Sequence, residues 1–370
     1  MESIEKLKKT PAWSVLAPLL ALALVVAKLA HALDLDGPAL KTLASALLIG
    51  AVFASVRHAQ AVGAKIGEPY GALVLALAVT CIEAGLIVTL MIADPERNAT
   101  LARDSLFAVV MIVLNGLIGA CLVIGDLRYR RVEFRLEGTT GALVTLATLA
   151  VLTLALPNVT TTTPGPNFSP PQLVMIAGAA FGLYLVFVFV QSVRHPLDFL
   201  SEADAGLDHA HAPDRSALSW SRTLVNFALL SASLAAVVLL AKSLTPALEG
   251  VVFAAGLPAA VIGVCVATLV LLPEVISALF AATRNETQTS LNLAIGSALA
   301  SIGLTIPVVT ASSLLLGAPL TLGLDRLNTS LLLLTLFVST VTLGIGRATL
   351  LQGAVHLTIF FVFLGFTVFP

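Results

Sequence analysis

Two glutamates, Glu83 and Glu274, each lie within a long apolar stretch of the chain. Residues 75–82 precede Glu83, residues 267–273 precede Glu274, and neither run contains a basic residue. A carboxylate at the centre of a bilayer costs about 2.5–3.5 kcal/mol on insertion scales. We expect no cationic side chain at a similar depth, so each glutamate must either be protonated or bind a cation. The pair therefore predicts a site that alternates between protons and a metal ion.

The number of carboxylates favours exchange. Two glutamates match the charge of one divalent ion or of two protons, whereas the empty dianion is costly to bury. Such a site can change the side of the membrane to which it opens only when it is loaded with the metal ion or with protons. This requirement couples the flux of the metal ion to the flux of protons. The alternative is a pair of protonated, structural glutamates that hydrogen-bond to neighbouring helices.

Hydroxyl and amide oxygens near the glutamates could complete a site for a hard cation. Calcium takes 6–8 oxygen ligands at 2.3–2.6 Å. Backbone carbonyls released near Pro273 would add to the side-chain oxygens. Both glutamates are predicted to bind protons as well as metal. The predicted metal-binding residues are Glu83, Glu274, Thr80, Asn115, Ser297 and Ser301.

The elements that hold these residues must be membrane-spanning helices. The chain of 370 residues is 58% hydrophobic and only 11% charged, too few charges for a water-facing surface. A helix needs about 20 apolar residues to cross the hydrocarbon core. The sequence predicts eleven spans: 12–33, 39–57, 69–93, 105–125, 138–156, 171–193, 223–241, 249–282, 289–313, 329–345 and 348–369.

One predicted span, 249–282, is too long for a simple crossing and contains Pro258 and Pro273. We expect a short re-entrant or tilted entry, followed by a helix broken near Pro273.

The basic residues predict the orientation. Most Lys and Arg residues fall in segments on one side of the membrane if the amino terminus is cytoplasmic. Because cytoplasmic loops carry an excess of Lys and Arg, the amino terminus is predicted to be cytoplasmic and the carboxyl terminus periplasmic. The expected location is the bacterial inner membrane.

The spans divide into two halves of five around a central polar loop. Residues 1–38 form a cytoplasmic tail and an extra helix, 39–193 a first five-helix repeat, 194–222 an acidic cytoplasmic linker, and 223–370 a second repeat. An odd number of helices per half makes the second half enter the membrane upside down. The predicted fold class is therefore all-α integral membrane, with two inverted five-helix repeats and one additional helix.

Two motif regions resemble the cation/calcium exchanger superfamily, within it the bacterial calcium/proton antiporters. The first runs from Gly67-Glu68-Pro69 to Ile82-Glu83. The second includes Leu271-Leu272-Pro273-Glu274, Gly296-Ser297 and Ile306-Pro307. The resemblance covers about residues 39–369.

The resemblance implies that two repeats pack around one ion. Glu83 and Glu274 would then be its central ligands, with Asn115 and Ser297 as auxiliary ligands. Many relatives have Gly-Asn or Thr-Ser just before the glutamates, where this chain has Val79-Thr80 and Val270-Leu271. On the third helices, where sodium exchangers often have more acidic or polar residues, Met111, Ala300 and Ser301 leave fewer oxygen ligands. This departure disfavours a multi-sodium exchanger.

Other classes of function have less support. A net charge of −1, from 20 Lys+Arg and 21 Asp+Glu, gives no basis for nucleic-acid binding. No Walker motif for ATP hydrolysis and no catalytic dyad for an intramembrane enzyme is present. His356 and Gln352 lie one turn apart in the last predicted span. This spacing indicates either a packed, hydrogen-bonded pair or part of a proton path.

The sequence thus predicts a secondary transporter rather than an enzyme. It would exchange calcium, with sodium or potassium as further candidates, for protons by alternating access. The alternatives are a monovalent cation/proton antiporter, an intramembrane enzyme and a cation channel. The expected partners are inorganic cations and the lipid bilayer, with no cofactor; Ca²⁺ and H⁺ are cargo, and the sequence does not define an oligomeric state.

Overall fold

The computed structural model describes residues 11–30, 37–66, 70–199 and 219–369. Within these ranges, eleven helices are long and apolar enough to cross a membrane. Backbone polar groups find no water in the hydrocarbon core, so such apolar segments satisfy them within a helix. The helices are α1 Ala12–Leu29, α2 Pro38–Ile66, α3 Tyr70–Ala93, α4 Leu101–Tyr129, α5 Leu136–Val159, α6 Pro170–Arg194, α7 Trp220–Ala254, α8 Ala260–Thr283, α9 Thr287–Leu316, α10 Arg326–Leu343 and α11 Leu350–Val368.

Three of these helices contain a π-helical stretch. The stretches are Ile112–Leu117 within α4, Val151–Ala155 within α5 and Val190–Arg194 at the end of α6. Short π segments inside α-helices are frequent at functional sites. The segment in α4 contains Asn115, one of the predicted ligands.

The expectation for residues 249–282 was wrong. The first six residues of that stretch belong to the end of α7, which runs without interruption from Trp220 to Ala254. The chain then breaks around Gly256, which has φ +71°, and α8 continues through Pro273 to Thr283. A proline inside a membrane helix is tolerated because neighbouring helices and side chains compensate for the lost backbone hydrogen bond.

The chain divides into two compact units that do not follow sequence order. The first comprises residues 1–90 and 207–255. In it, α1, α2 and α7 pack against one another in pairs. Helix α3 joins this bundle through Ala78, which packs with Ala59 of α2 and Leu230 of α7.

The second unit comprises residues 91–206 and 256–370. Its helix pairs include α4 with α8, α4 with α11, α8 with α9, and α6 with α9. Gly119 of α4 and Gly353 of α11 bring their backbones close together, since a β-carbon at either position would lie 3.0–3.1 Å from the carbonyl oxygen of the other. Small residues allow this kind of close approach between membrane helices.

Short extended segments connect the helix ends of the second unit. Strands β1 (Val132–Glu133) and β2 (Arg347–Ala348) pair antiparallel, with Val132 opposite Ala348. Residues 318–325, before α10, run extended and donate backbone N–H groups to Ala99 O, Leu154 O and Pro166 O. These bonds fix the start of α10, whose N-cap residue Asp325 accepts from the backbone N–H of Asn328.

Some predicted features lie outside the described residues. These are most of the amino-terminal tail, the motif residues Gly67-Glu68-Pro69, and residues 200–218 of the acidic linker. The domain boundaries 1–38, 39–193, 194–222 and 223–370 stay a prediction.

Candidate functional site

Glu83 lies on α3 and is completely buried, with 0% of its surface exposed. Thr80 precedes it by three residues and therefore shares its helix face. Thr80 is also buried, and its hydroxyl oxygen has no hydrogen-bond partner among the residues that the structure describes. A buried hydroxyl usually finds a partner, so the Thr80 oxygen is suited to a ligand of this helix face.

Gly85 permits α7 to approach α3 closely in this region. A β-carbon at Gly85 would lie 2.9 Å from Cγ2 of Val238 on α7. The Glu83 helix is therefore held against the long helix α7 inside the first unit.

Glu274 lies on α8 in the second unit and is half-buried. It follows Pro273, which has no N–H to offer the carbonyl oxygen of Leu269 one turn earlier. The side chain of Ser277 donates to the Pro273 carbonyl oxygen at 2.8 Å. The helix is thus continuous, but the backbone carbonyl of Leu269 lacks the helical N–H donor that residue 273 would otherwise supply.

Ser297 and Ser301 lie one turn apart on α9. Ser301 is buried, and the hydroxyl oxygen of Ser297 is buried with no hydrogen-bond partner in the described parts of the chain. Helix α9 packs against α8 and against the π segment of α4. The structure therefore brings together the three elements of the second unit that contain Glu274, the two serines and Asn115.

Asn115 forms a buried hydrogen-bond network with side chains of α10 and α11. Its amide nitrogen donates to Thr335 Oγ1 at 2.8 Å, and its amide oxygen lies 3.1 Å from His356 Nδ1. His356 Nε2 lies 3.2 Å from Thr342 Oγ1. All four side chains are buried. Asn115 therefore has a fixed orientation before any ion arrives.

The network also defines the tautomer of His356. Because the Asn115 oxygen can only accept, Nδ1 of His356 must carry the hydrogen, and Nε2 then accepts from the Thr342 hydroxyl. A neutral imidazole satisfies both contacts. His356 is hydrogen-bonded, as one of the two sequence interpretations expected, but not to Gln352, which instead caps α11 at Thr349.

Thr335, Thr342 and His356 were not among the predicted site residues. The two threonines are seven residues apart, so they lie on one face of α10. That spacing is the signal that could have indicated a polar stripe in an apolar helix. The partner of Thr335, Asn115 on a helix 220 residues away in sequence, could not be predicted from that spacing.

The side chains at the candidate site would offer a metal ion mainly oxygen ligands. Across the described parts of the chain, no group of three or more His, Cys, Asp or Glu residues is placed to hold a metal ion. A cation bound within either unit would therefore be held by a carboxylate together with hydroxyl, amide or carbonyl oxygens. Hard cations such as calcium or sodium accept such ligands, whereas soft metals prefer sulfur.

Comparison with known proteins places this chain among ion exchangers. The family model described as sodium/calcium exchanger protein matches residues 37–193 and 225–369. The y4hA protein of Sinorhizobium fredii, named as an ionic transporter, is 48% identical over 361 residues and 97% of each chain is covered. The sodium-potassium/proton antiporter ChaA of Escherichia coli is 34% identical over 328 residues, with 88% of each chain covered.

Solved structures share the fold. The structure of native YfkE matches with a TM-score of 0.70 at 18% identity, covering 95% of this chain and 99% of that one. The H⁺/Ca²⁺ exchanger CAX matches with a TM-score of 0.68 at 17% identity, covering 95% and 88%. The predicted fold class, an all-helical membrane protein with eleven spanning helices, is confirmed.

Proposed function

Because the chain belongs to the sodium/calcium exchanger protein family, we propose that it exchanges a cation for protons, with Glu83 and Glu274 as the groups that bind both cargoes. The observation that carries this proposal is the complete burial of Glu83 in an apolar membrane helix. Burial of the charged form is costly, so the carboxylate favours a state in which a proton or a cation neutralises it. Alternation between these states is a transport cycle.

We propose the remaining oxygen ligands within each unit separately. In the first unit, Thr80 would contribute its hydroxyl beside Glu83. In the second, Ser297, Ser301 and Asn115 would contribute oxygens from helices that pack together or against α8. The hydroxyls of Thr80 and Ser297 support this assignment, since both oxygens are buried and neither has a hydrogen-bond partner within the described ranges.

Calcium is the proposed principal cargo. Two glutamates carry the charge that balances one divalent ion or two protons, so either loaded form is near neutral. Sodium or potassium is a second candidate, supported by the name of the 34%-identical antiporter from Escherichia coli. The bacterial inner membrane is the proposed location. We propose that transport of the ions requires no cofactor.

Inverted membrane vesicles with a preformed pH gradient test the proposal. We expect calcium to collapse the gradient in vesicles that contain the wild-type chain. Glu83→Gln and Glu274→Gln should each abolish this response, because an amide can neither release a proton nor supply the missing negative charge. Glu137→Gln, an exposed carboxylate at the start of α5, is the matched control and should transport normally.

The response of the vesicles to different cations distinguishes the two candidate cargoes. A response to sodium or potassium but not to calcium would replace the principal cargo with the second candidate. Calcium uptake without proton movement would contradict exchange. Thr80→Val and Ser297→Ala should raise the cation concentration needed for half-maximal response while leaving the amount of folded protein unchanged.

A further inference from the structure

A cavity of about 360 Å³ lies in the second unit, where the beginnings of α4, α8 and α10 meet the end of α11. None of the residues that line it belongs to the candidate ion site. Its volume falls within the range of about 300–1,000 Å³ that is usual for small-molecule sites. The cavity is therefore large enough for part of a ligand much bigger than a bare cation.

The end of the cavity that lies at the helix termini is polar. Arg103 and Asp104 occupy the first turn of α4, and Asp325 and Asn328 lie at the start of α10. The termini of membrane-spanning helices lie near the level of the lipid headgroups. The charged side chains of the cavity are therefore placed where a bound lipid would have its headgroup.

The other end of the cavity, about one helical turn deeper, is apolar. Phe107 of α4 and Phe363 of α11 are 3% and 2% exposed, and their rings pack edge to face with centroids 5.4 Å apart. Val264, one turn into α8, is a third apolar lining residue. A cavity whose lining changes from polar to apolar with depth matches an amphipathic ligand.

Two large apolar side chains connect the cavity to the surface of the helices. Leu327 of α10 and Phe366 of α11 line the cavity and still expose 40% and 43% of their surface. Exposed apolar surface of this kind marks contact with a membrane. The cavity is therefore accessible from the bilayer, and acyl chains too long for it can continue along α10 and α11.

Arg103 offers hydrogen-bond donors at the polar end. Its Nε donates to Asp104 Oδ1 at 2.8 Å, and its Nη1 donates to the backbone oxygen of Gly323 at 3.2 Å. These bonds fix the side chain but use only two of the five N–H groups of a guanidinium, as far as the described residues show. The remaining N–H groups suit the oxygens of a phosphate, which guanidinium groups bind well.

Asp325 offers acceptors at the same end. Its carboxylate oxygens accept from the backbone N–H and the side-chain amide of Asn328, at 2.8 and 2.6 Å. An ionised carboxylate has about four lone-pair positions, so about two are left for an ammonium group. Arg103, Asp104 and Asp325 together carry a net charge of −1. This combination fits a zwitterionic headgroup better than an anionic one.

We propose that the cavity binds the headgroup of a phospholipid with a primary ammonium group, of the phosphatidylethanolamine type. The lipid phosphate accepts from Arg103, the ammonium donates to Asp325, and the beginning of the acyl chains lies against Phe107 and Phe363. A choline headgroup has no N–H to donate, so it forms only the first of these polar contacts. The bound lipid joins the ends of α4, α10 and α11.

Native mass spectrometry of purified, delipidated chain in detergent tests the choice of headgroup. The added lipids are dioleoylphosphatidylethanolamine and its forms with one, two and three methyl groups on nitrogen, with diolein as the form that lacks phosphate. We expect binding to weaken with each methyl group and to be about tenfold weaker for the trimethyl (choline) lipid, as for the loss of a hydrogen bond to a charged group. Diolein should bind no better than the choline lipid. Equal binding of the ethanolamine and choline lipids would overturn the proposal.

Asp325→Asn tests the ammonium contact without removing the helix cap. Asparagine caps helices as well as aspartate does, so the melting temperature without added lipid should stay close to that of wild type. The preference for ethanolamine over choline should be lost, because the carboxylate charge is gone. Asp94→Asn is the matched control: Asp94 is also exposed and accepts from the backbone N–H three residues later, but it does not line the cavity. A preference that survives in Asp325→Asn would contradict the proposal.

Val264→Phe tests whether the lipid enters the cavity, because the larger side chain fills its apolar end. We expect this variant to bind the ethanolamine and choline lipids equally weakly. Wild-type lipid binding in Val264→Phe would show that the lipid binds elsewhere. Displacement of the lipid by an equal concentration of soluble phosphoethanolamine would show that the ligand is water-soluble, and either result would overturn the proposal. These measurements do not involve transport, so they are independent of the proposed exchange.

Discussion

Buried polar side chains carry most of the functional information in this protein. In the second unit, Asn115, Thr335, Thr342 and His356 use their hydrogen-bonding groups on one another inside an apolar bundle. Measured hydrogen bonds between membrane helices average about 0.6 kcal/mol. The network therefore contributes more to the orientation of Asn115 than to overall stability.

Thr342→Val tests the outer end of this network. The change conserves shape but leaves Nε2 of His356 without a donor, so we expect a loss of stability of about 1 kcal/mol. Thermal unfolding in detergent measures it. Thr358→Val, which removes an exposed hydroxyl that donates only to its own helix at Ala354, should leave the melting temperature unchanged. Equal melting of both variants and wild type would contradict the assigned hydrogen bond.

The two buried histidines have different kinds of hydrogen-bond partner. His356 has one acceptor and one hydroxyl, and His58 has two acceptors. Both are completely buried, so exposure does not distinguish them. The difference lies in which atoms the neighbouring helices present.

At the scale of the element, glycines and prolines decide how the helices meet. Pro273 does not end α8, whereas the chain around Gly256 separates α7 from α8. The glycine pair Gly119 and Gly353 places α4 against α11. This contact lies one helical turn from Asn115 and about one turn from His356, so it sets the geometry of their hydrogen bond.

A valine at either glycine should separate α4 from α11. In Gly119→Val or Gly353→Val the new side chain would overlap the facing backbone, and overpacking of this kind costs about 1–3 kcal/mol. We expect a lower melting temperature and slower exchange. Gly182→Val on α6 is the matched control, since a β-carbon there meets nothing within 4 Å. Normal folding and transport of Gly119→Val would contradict the close contact.

At the scale of the whole molecule, an odd number of spans leads us to predict that the two termini lie on opposite sides of the membrane. The distribution of Lys and Arg predicts a cytoplasmic amino terminus and a periplasmic carboxyl terminus. This orientation also determines from which side a cation reaches each helix end.

Reporter fusions test the orientation. Alkaline phosphatase fused after Pro370 should be active, because it folds only in the periplasm, and green fluorescent protein at the same position should be dark. The same reporters joined at the amino terminus should give the opposite pattern. A fluorescent carboxyl-terminal fusion would contradict the predicted topology.

The sequence by itself determined the class of protein and the residues of greatest interest. Apolar segments of membrane-spanning length predict eleven helices because a helix of about 20 residues is needed to cross a hydrocarbon core about 30 Å thick. Glu83 and Glu274 stand out for a similar reason, since the cost of a carboxylate in such a segment depends mainly on its depth. Neither inference requires knowledge of which helices are neighbours.

Only the tertiary structure decided the continuity of α8 and the partners of the polar side chains. Whether Pro273 breaks its helix depends on neighbouring groups that compensate for the lost hydrogen bond. Asn115 and His356 are 241 residues apart, and His58 and Asn226 are 168 apart. Hydrogen bonds act over about 3 Å, so their partners are chosen by the packing of helices that lie far apart in the chain.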